Sequence, residues 1–214
     1  MIRPLVICAA LLAAATFGSA AAPAKTPAKP PAAIVAFDKA WSRVKTYNAT
    51  IAVFERQGMQ TQSTTLDFSF AQPSKIEVRV LAGANKGARL EWGGGDTVLV
   101  RRGSGLLSLM KKTVSLHDSL VTTIRGSAIT QLGFGQILEH TRQPGVLTQT
   151  HGDVIEGVAT EKVTLIPTHP LADGRLTREV IELSTTTHLP TRVLGFEGTT
   201  LVRTIDFRNI RIGQ

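Results

Sequence analysis

The sequence predicts an α+β fold: a large antiparallel sheet of about ten or eleven strands with two helices against one face. Three observations carry that expectation. In Leu66-Asp67-Phe68-Ser69-Phe70 and Ile76-Glu77-Val78-Arg79-Val80, apolar residues fill every second position on both sides of a Gln72-Pro73-Ser74-Lys75 turn, so one face of the hairpin is greasy and the other wet. Similar alternating stretches recur to the end of the chain, separated by Gly, Pro, Asn and Asp, the residues that make turns. Only two segments show helical spacing instead.

From the N-terminus, Met1-Ile2-Arg3 is a short positive start, Leu5–Phe17 an apolar run, and Gly18-Ser19-Ala20-Ala21-Ala22 a small-residue stretch. This is the pattern of a cleaved secretory leader over residues 1–22. The apolar run falls short of the ~20 residues that a bilayer-spanning helix needs. The single cysteine, Cys8, lies inside the run, not at its end where a lipid-modified cysteine stands. After cleavage the chain has no thiol for a disulfide, a nucleophile or a metal. Residues 23–33, rich in Pro, Ala and Lys, read as an extended linker. Residues 34–214 are of a size to form one domain with a substantial core.

Ile34, Phe37, Trp41 and Val44 mark one face of a helix from about residue 32 to 46, with Pro31 at its start where a missing N–H does no harm. Strands follow over 48–56, 60–70 and the hairpin, then Ala88–Trp92 and Thr97–Arg102 around Gly93-Gly94-Gly95-Asp96. A strand after that glycine run makes it a turn, since a phosphate-binding loop needs a helix there with Lys and Ser or Thr. Leu106–Met110 forms an apolar patch in a glycine-flanked loop ending at Lys111-Lys112. Ser127 is placed to cap a helix over 128–141 bearing Ile129, Leu132, Phe134, Ile137 and Leu138. These five span over half the circumference, and Gly133 and Gly135 each cost roughly 1 kcal/mol relative to alanine. Such a helix is either buried core or a movable plug. Beyond Pro144-Gly145 come strands at 146–151, 154–157, 160–166, 176–184 (after an Asp173-Gly174 turn), 192–197 and 199–212. The last switches apolar phase between Phe207 and Ile210, which a bulge near Asn209 explains.

Phe68-Ser69-Phe70-Ala71-Gln72-Pro73-Ser74-Lys75-Ile76, set between two long strands and further strands, resembles the LolA-like superfamily of periplasmic lipoprotein carriers. The run from Gly83 to Trp92 and the 129–138 segment resemble an uncharacterised exported branch of it. The resemblance covers nearly the whole chain after the leader. It implies a large curved antiparallel sheet, an unclosed β-barrel wrapped around a helical lid, with an apolar cavity for lipid or lipoprotein acyl chains. On that expectation Leu66, Phe68, Phe70, Ile76, Val78, Val80, Leu90 and Trp92 form the lipid-binding wall. Ile129, Leu132, Phe134, Ile137 and Leu138 form the lid.

The formal charge is +8 and aromatics make up 5% of the chain. No nucleic-acid motif accompanies the charge, and in an exported protein the acidic partner it suits is anionic lipid. His117, His140, His151, His169 and His188 lack metal-ligand spacing. Ser104 lies in Gly-Ser-Gly without a nucleophile elbow, and Gly133-Phe134-Gly135 lacks the third glycine of a dinucleotide motif. The expectation is therefore a monomeric, non-catalytic periplasmic carrier without cofactor or metal, contributing to outer-membrane biogenesis. The alternative on the same scaffold is an envelope sensor that binds a membrane or envelope protein partner.

Overall fold

The computed structural model describes residues 29–101, 111–172 and 175–213. The leader, most of the linker, the Leu106–Met110 patch and the Asp173-Gly174 turn lie outside them. The strands are β1 (Thr46–Gln57), β2 (Gln60–Ala71), β3 (Lys75–Ala82), β4 (Arg89–Trp92), β5 (Thr97–Arg101) and β6 (Lys111–Ser115). After the helical segment come β7 (Gly145–Ile155), β8 (Val158–Pro167), β9 (Arg178–Ser184), β10 (Pro190–Glu197) and β11 (Thr200–Gly213). They form one 11-stranded sheet in the order β6-β5-β4-β3-β2-β1-β11-β10-β9-β8-β7. Every pairing is antiparallel, and the first and last strands of the chain meet at the centre. The sheet does not close, and two helices cover one face: the unclosed barrel with a helical lid that the resemblance implies.

Local sequence sets the details. The hairpin pairs Leu66 with Val80, Phe68 with Val78 and Phe70 with Ile76, so its apolar set shares one face. In β11 the register against β1 slips one residue at Asn209, which adopts φ 51°. That is the bulge the phase switch required. Strand β6 was not foreseen, since within Lys-Lys-Thr-Val-Ser only Val114 is buried.

Helix α1 (Ala32–Trp41) is shorter than expected, capped by Ser42, and Val44 reaches the core from the following turn. The expected 128–141 helix is two pieces. A 3-10 turn, Ile129–Leu132, precedes α2 (Phe134–Thr141), with Gly133 extended between them at φ −81°, ψ 151°. Five apolar residues spread over half a circumference because two short axes share them; each piece alone buries one side. Ser127 does not cap: Gln131 Oε1 accepts from the Ala128 N–H at 2.6 Å, and the serine is used elsewhere. Gly135 has a packing reason, since a Cβ there would lie 3.3 Å from Trp41 Cζ2 at the end of α1. Arg142, at the C-cap of α2, pairs with Asp38 of α1 at 3.0 Å on the surface.

Candidate functional site

Cross-strand register sorts the covered face into three bands. At one end of the strands, Trp92, Ile76, Phe70 and Tyr47 are successive partners across β4, β3, β2 and β1. In the middle, Val80, Leu66, Ile51 and Phe207 follow one another from β3 to β11, beside the row Leu90, Val78, Phe68 and Ala49. At the far end Glu55 of β1 faces Arg203 of β11, which faces Gly195 of β10, which faces Glu179 of β9.

The aromatic band is filled where the helices meet Tyr47 and Phe68. Phe134, at the start of α2, stacks on Tyr47 with ring centroids 4.4 Å apart and planes at 13°, and Tyr47 stacks on Phe68 at 5.6 Å. Trp41 lies against Phe70 at 5.2 Å, and Phe207 against Phe134 at 5.0 Å. The Tyr47 hydroxyl accepts from the Phe134 N–H at 3.4 Å. Burial pushes the tyrosine pKa above its ordinary range, more strongly than that bond lowers it. Aromatic pairs at such distances contribute about 0.5–1.5 kcal/mol each beyond their burial, so this end pins the helical cover to the sheet.

The aliphatic band is open on the β2–β6 side. A cavity of about 660 Å3 is walled by Leu66, Val78, Val80, Leu90 and Val100 of the sheet and roofed by Val121, Ala128, Ile129 and Leu132. Gln62, Thr64, Thr122, Thr123 and Ser127 add polar lining, with Lys86 and Lys112 the charged members among the described residues. A second cleft of about 390 Å3 opens beside the aromatic band, touching Trp41, Phe70, Ile76, Trp92 and Leu138.

The sequence-predicted wall thus separates into three. Leu66, Val78, Val80 and Leu90 line the large cavity; Phe70, Ile76 and Trp92 line the smaller cleft; Phe68, fully buried, lines neither. Of the lid residues, Ile129 and Leu132 face the large cavity, and Leu138 the cleft. Phe134 and Ile137 are core, at 0% and 1% exposure.

The charged band is a buried network that sequence reasoning missed. Arg203, 1% exposed, donates from Nη2 to Glu179 Oε1 at 3.3 Å and from Nη1 to Ser127 Oγ at 3.4 Å. The Ser127 hydroxyl donates to Glu55 Oε1 at 3.2 Å, and the Arg125 N–H to Glu55 Oε2 at 3.2 Å. His140 of α2 brings Nδ1 within 2.7 Å of Glu179 Oε2. Gly195 lacks a side chain where Arg203 reaches across β10; a Cβ there would lie 3.2 Å from Arg203 Cβ and 2.8 Å from Leu176 Cδ1. The network ties both the roof (Arg125, Ser127) and α2 (His140) to the central strands. Within it the serine hydroxyl points at Glu55, and His140 Nε2 lies 3.3 Å from Gln136 Nε2. A sequence signal existed. Glu55, Glu179 and Arg203 each stand in the inward phase of their strands, alongside Ile51 and Val53, Ile181 and Leu183, and Ile205 and Phe207.

Among the described residues no three His, Cys, Asp or Glu side chains gather into a metal-holding group, and no helix is long and apolar enough to cross a membrane.

No protein-family model matches the chain, and no curated protein does. Solved structures do. Over 84% of its length the chain is similar to the Mycobacterium tuberculosis lipoprotein LppX, at 14% identity, TM-score 0.49 and 93% of that chain. It is likewise similar to a DUF1329 family protein from Desulfovibrio piger, at 11% identity and TM-score 0.47, covering 84% of this chain and 90% of that one. For a LolA superfamily protein from Nitrosomonas europaea the values are 11% and 0.42, with 85% and 94% covered. These are likenesses in the course of the chain, and no residue's role is carried over from them.

Proposed function

We propose that the protein is an exported, non-catalytic carrier of the cell envelope that holds the acyl chains of a lipid or lipoprotein in the large cavity. In this reading residues 1–22 direct export to the periplasm, residues 23–33 are a tether, and residues 34–214 are the carrier domain. One observation carries the reading: a cavity of about 660 Å3 whose floor is aliphatic sheet and whose roof is a separate segment of chain. Small-ligand pockets span roughly 300–1,000 Å3 and are mostly apolar with a few polar groups, and this one matches. Acyl chains suit such walls because each buried methylene contributes about 0.8 kcal/mol and requires no directed partner. The polar groups of the lining suit a head group.

The test is lipid carried through purification. Protein expressed with its leader, extracted and examined by mass spectrometry, should yield acyl lipid, and after delipidation it should bind a fluorescent fatty acid. Affinity should rise about fourfold per added methylene until the cavity is full. Protein that yields no lipid and binds no fatty acid would contradict the reading.

A further inference from the structure

We propose that the cavity selects an amphiphile with an anionic head group, a carboxylate or a phosphate, met by Lys86 and Lys112 at the mouth. This rests on the carrier reading and narrows it to a ligand class. Among the described residues lining the cavity two carry charge, both lysines, and none is a carboxylate. No described carboxylate forms an ion pair with either lysine.

Register explains where Lys112 points. Phe68, Val78, Leu90, Val100 and Lys112 are successive cross-strand partners from β2 to β6, so they share one face. Exposure rises along that row, from buried Phe68, Val78 and Leu90 through half-buried Val100 to exposed Lys112. At about 4.8 Å per strand the lysine backbone stands roughly 14 Å from that of Val78. Lys86 comes from the turn between β3 and β4, also exposed, and borders the same cavity. The site is thus dry at one end and wet and cationic at the other, which is the polarity of an anionic amphiphile. Charge-assisted bonds from two ammonium groups reward an anion over a hydroxyl of the same chain length. An edge-strand lysine also discourages strand-to-strand association, but that role leaves ligand choice unaltered.

Delipidated protein should be titrated with dodecanoate, dodecyl phosphate and dodecanol, alongside the Lys86→Gln/Lys112→Gln double variant. At low salt both anions should bind about tenfold more tightly than dodecanol. The preference should fall close to unity in the double variant and at high salt, with dodecanol affinity unchanged. Which anion binds more tightly identifies the head group as carboxylate or phosphate. Equal binding of dodecanol and the anions, or an anion preference that survives the double variant, overturns this assignment and leaves the carrier reading standing. Failure of all three to bind overturns both.

Discussion

Phe70 and Leu66 stand four residues apart on one face of one strand, yet they belong to different regions. Around Phe70, rings from α1, α2 and three strands interlock; around Leu66, the opposite wall is a cavity. The difference lies in what the cover supplies. Phe134 brings a flat, large side chain that fills its site, and the Tyr47 hydroxyl accepts from its backbone N–H. Over the aliphatic end the cover presents Val121, Ala128, Ile129 and Leu132 from an irregular segment, and a cavity of about 660 Å3 remains between cover and sheet. A strand's alternation shows that a face is buried; the partner element decides whether it is filled.

The comparison can be broken from either end. The largest effect is expected at the lock: Phe134→Ala should cost about 3–5 kcal/mol in denaturant unfolding, because it leaves a hole among fixed rings. A loss below about 1 kcal/mol would show that the aromatic end is looser than drawn. Leu66→Ala should cost less, about 2 kcal/mol at the low end of such truncations, since its side chain already borders empty space and has fewer contacts to lose. Smaller still is Val80→Phe, which adds bulk where there is room. Its stability should stay within about 1 kcal/mol of the parent, while binding of a fluorescent fatty acid should fall sharply. Unchanged binding would place the acyl site elsewhere.

A pH prediction separates the ends without mutation. The chain has one tyrosine, and burial holds Tyr47 neutral above its usual range. In the unfolded chain it ionises near pH 10, so its contribution is whole below that pH and declines as pH rises toward the folded value. Tyrosinate absorbance should therefore appear together with loss of near-UV dichroism, as one alkaline transition. Ionisation well before unfolding would mean that water reaches the aromatic band.

Much of the architecture was legible because period-two patterning is strong where one face is buried and turns are rich in Gly, Pro and Asn. The hairpin and the Asn209 bulge follow from those signals alone. β6 was not legible, since an edge strand with one buried residue carries almost no pattern. The 128–141 segment misled because Gly133 ends one helical piece and begins another, and apolar breadth summed over both looked like a single wide face. The site was half legible. Leu66, Val78, Val80 and Leu90 stand where the alternation put them, but nothing in Phe68 announces that Tyr47 will seal it. The charged band went unseen because Glu55, Arg203 and Glu179 come from distant strands, and their common inward phase gains meaning only once β1, β11, β10 and β9 are neighbours.

The open end of the hairpin face is tested most directly by methyl-resolved NMR during titration with dodecanoate. The methyls of Leu66, Val78, Val80, Leu90 and Ile129 should shift, while those of Val163 and Ile181 in the packed core should not. Shifts confined to the packed core, or no shifts at saturating ligand, would contradict an acyl site between the aliphatic strands and their roof.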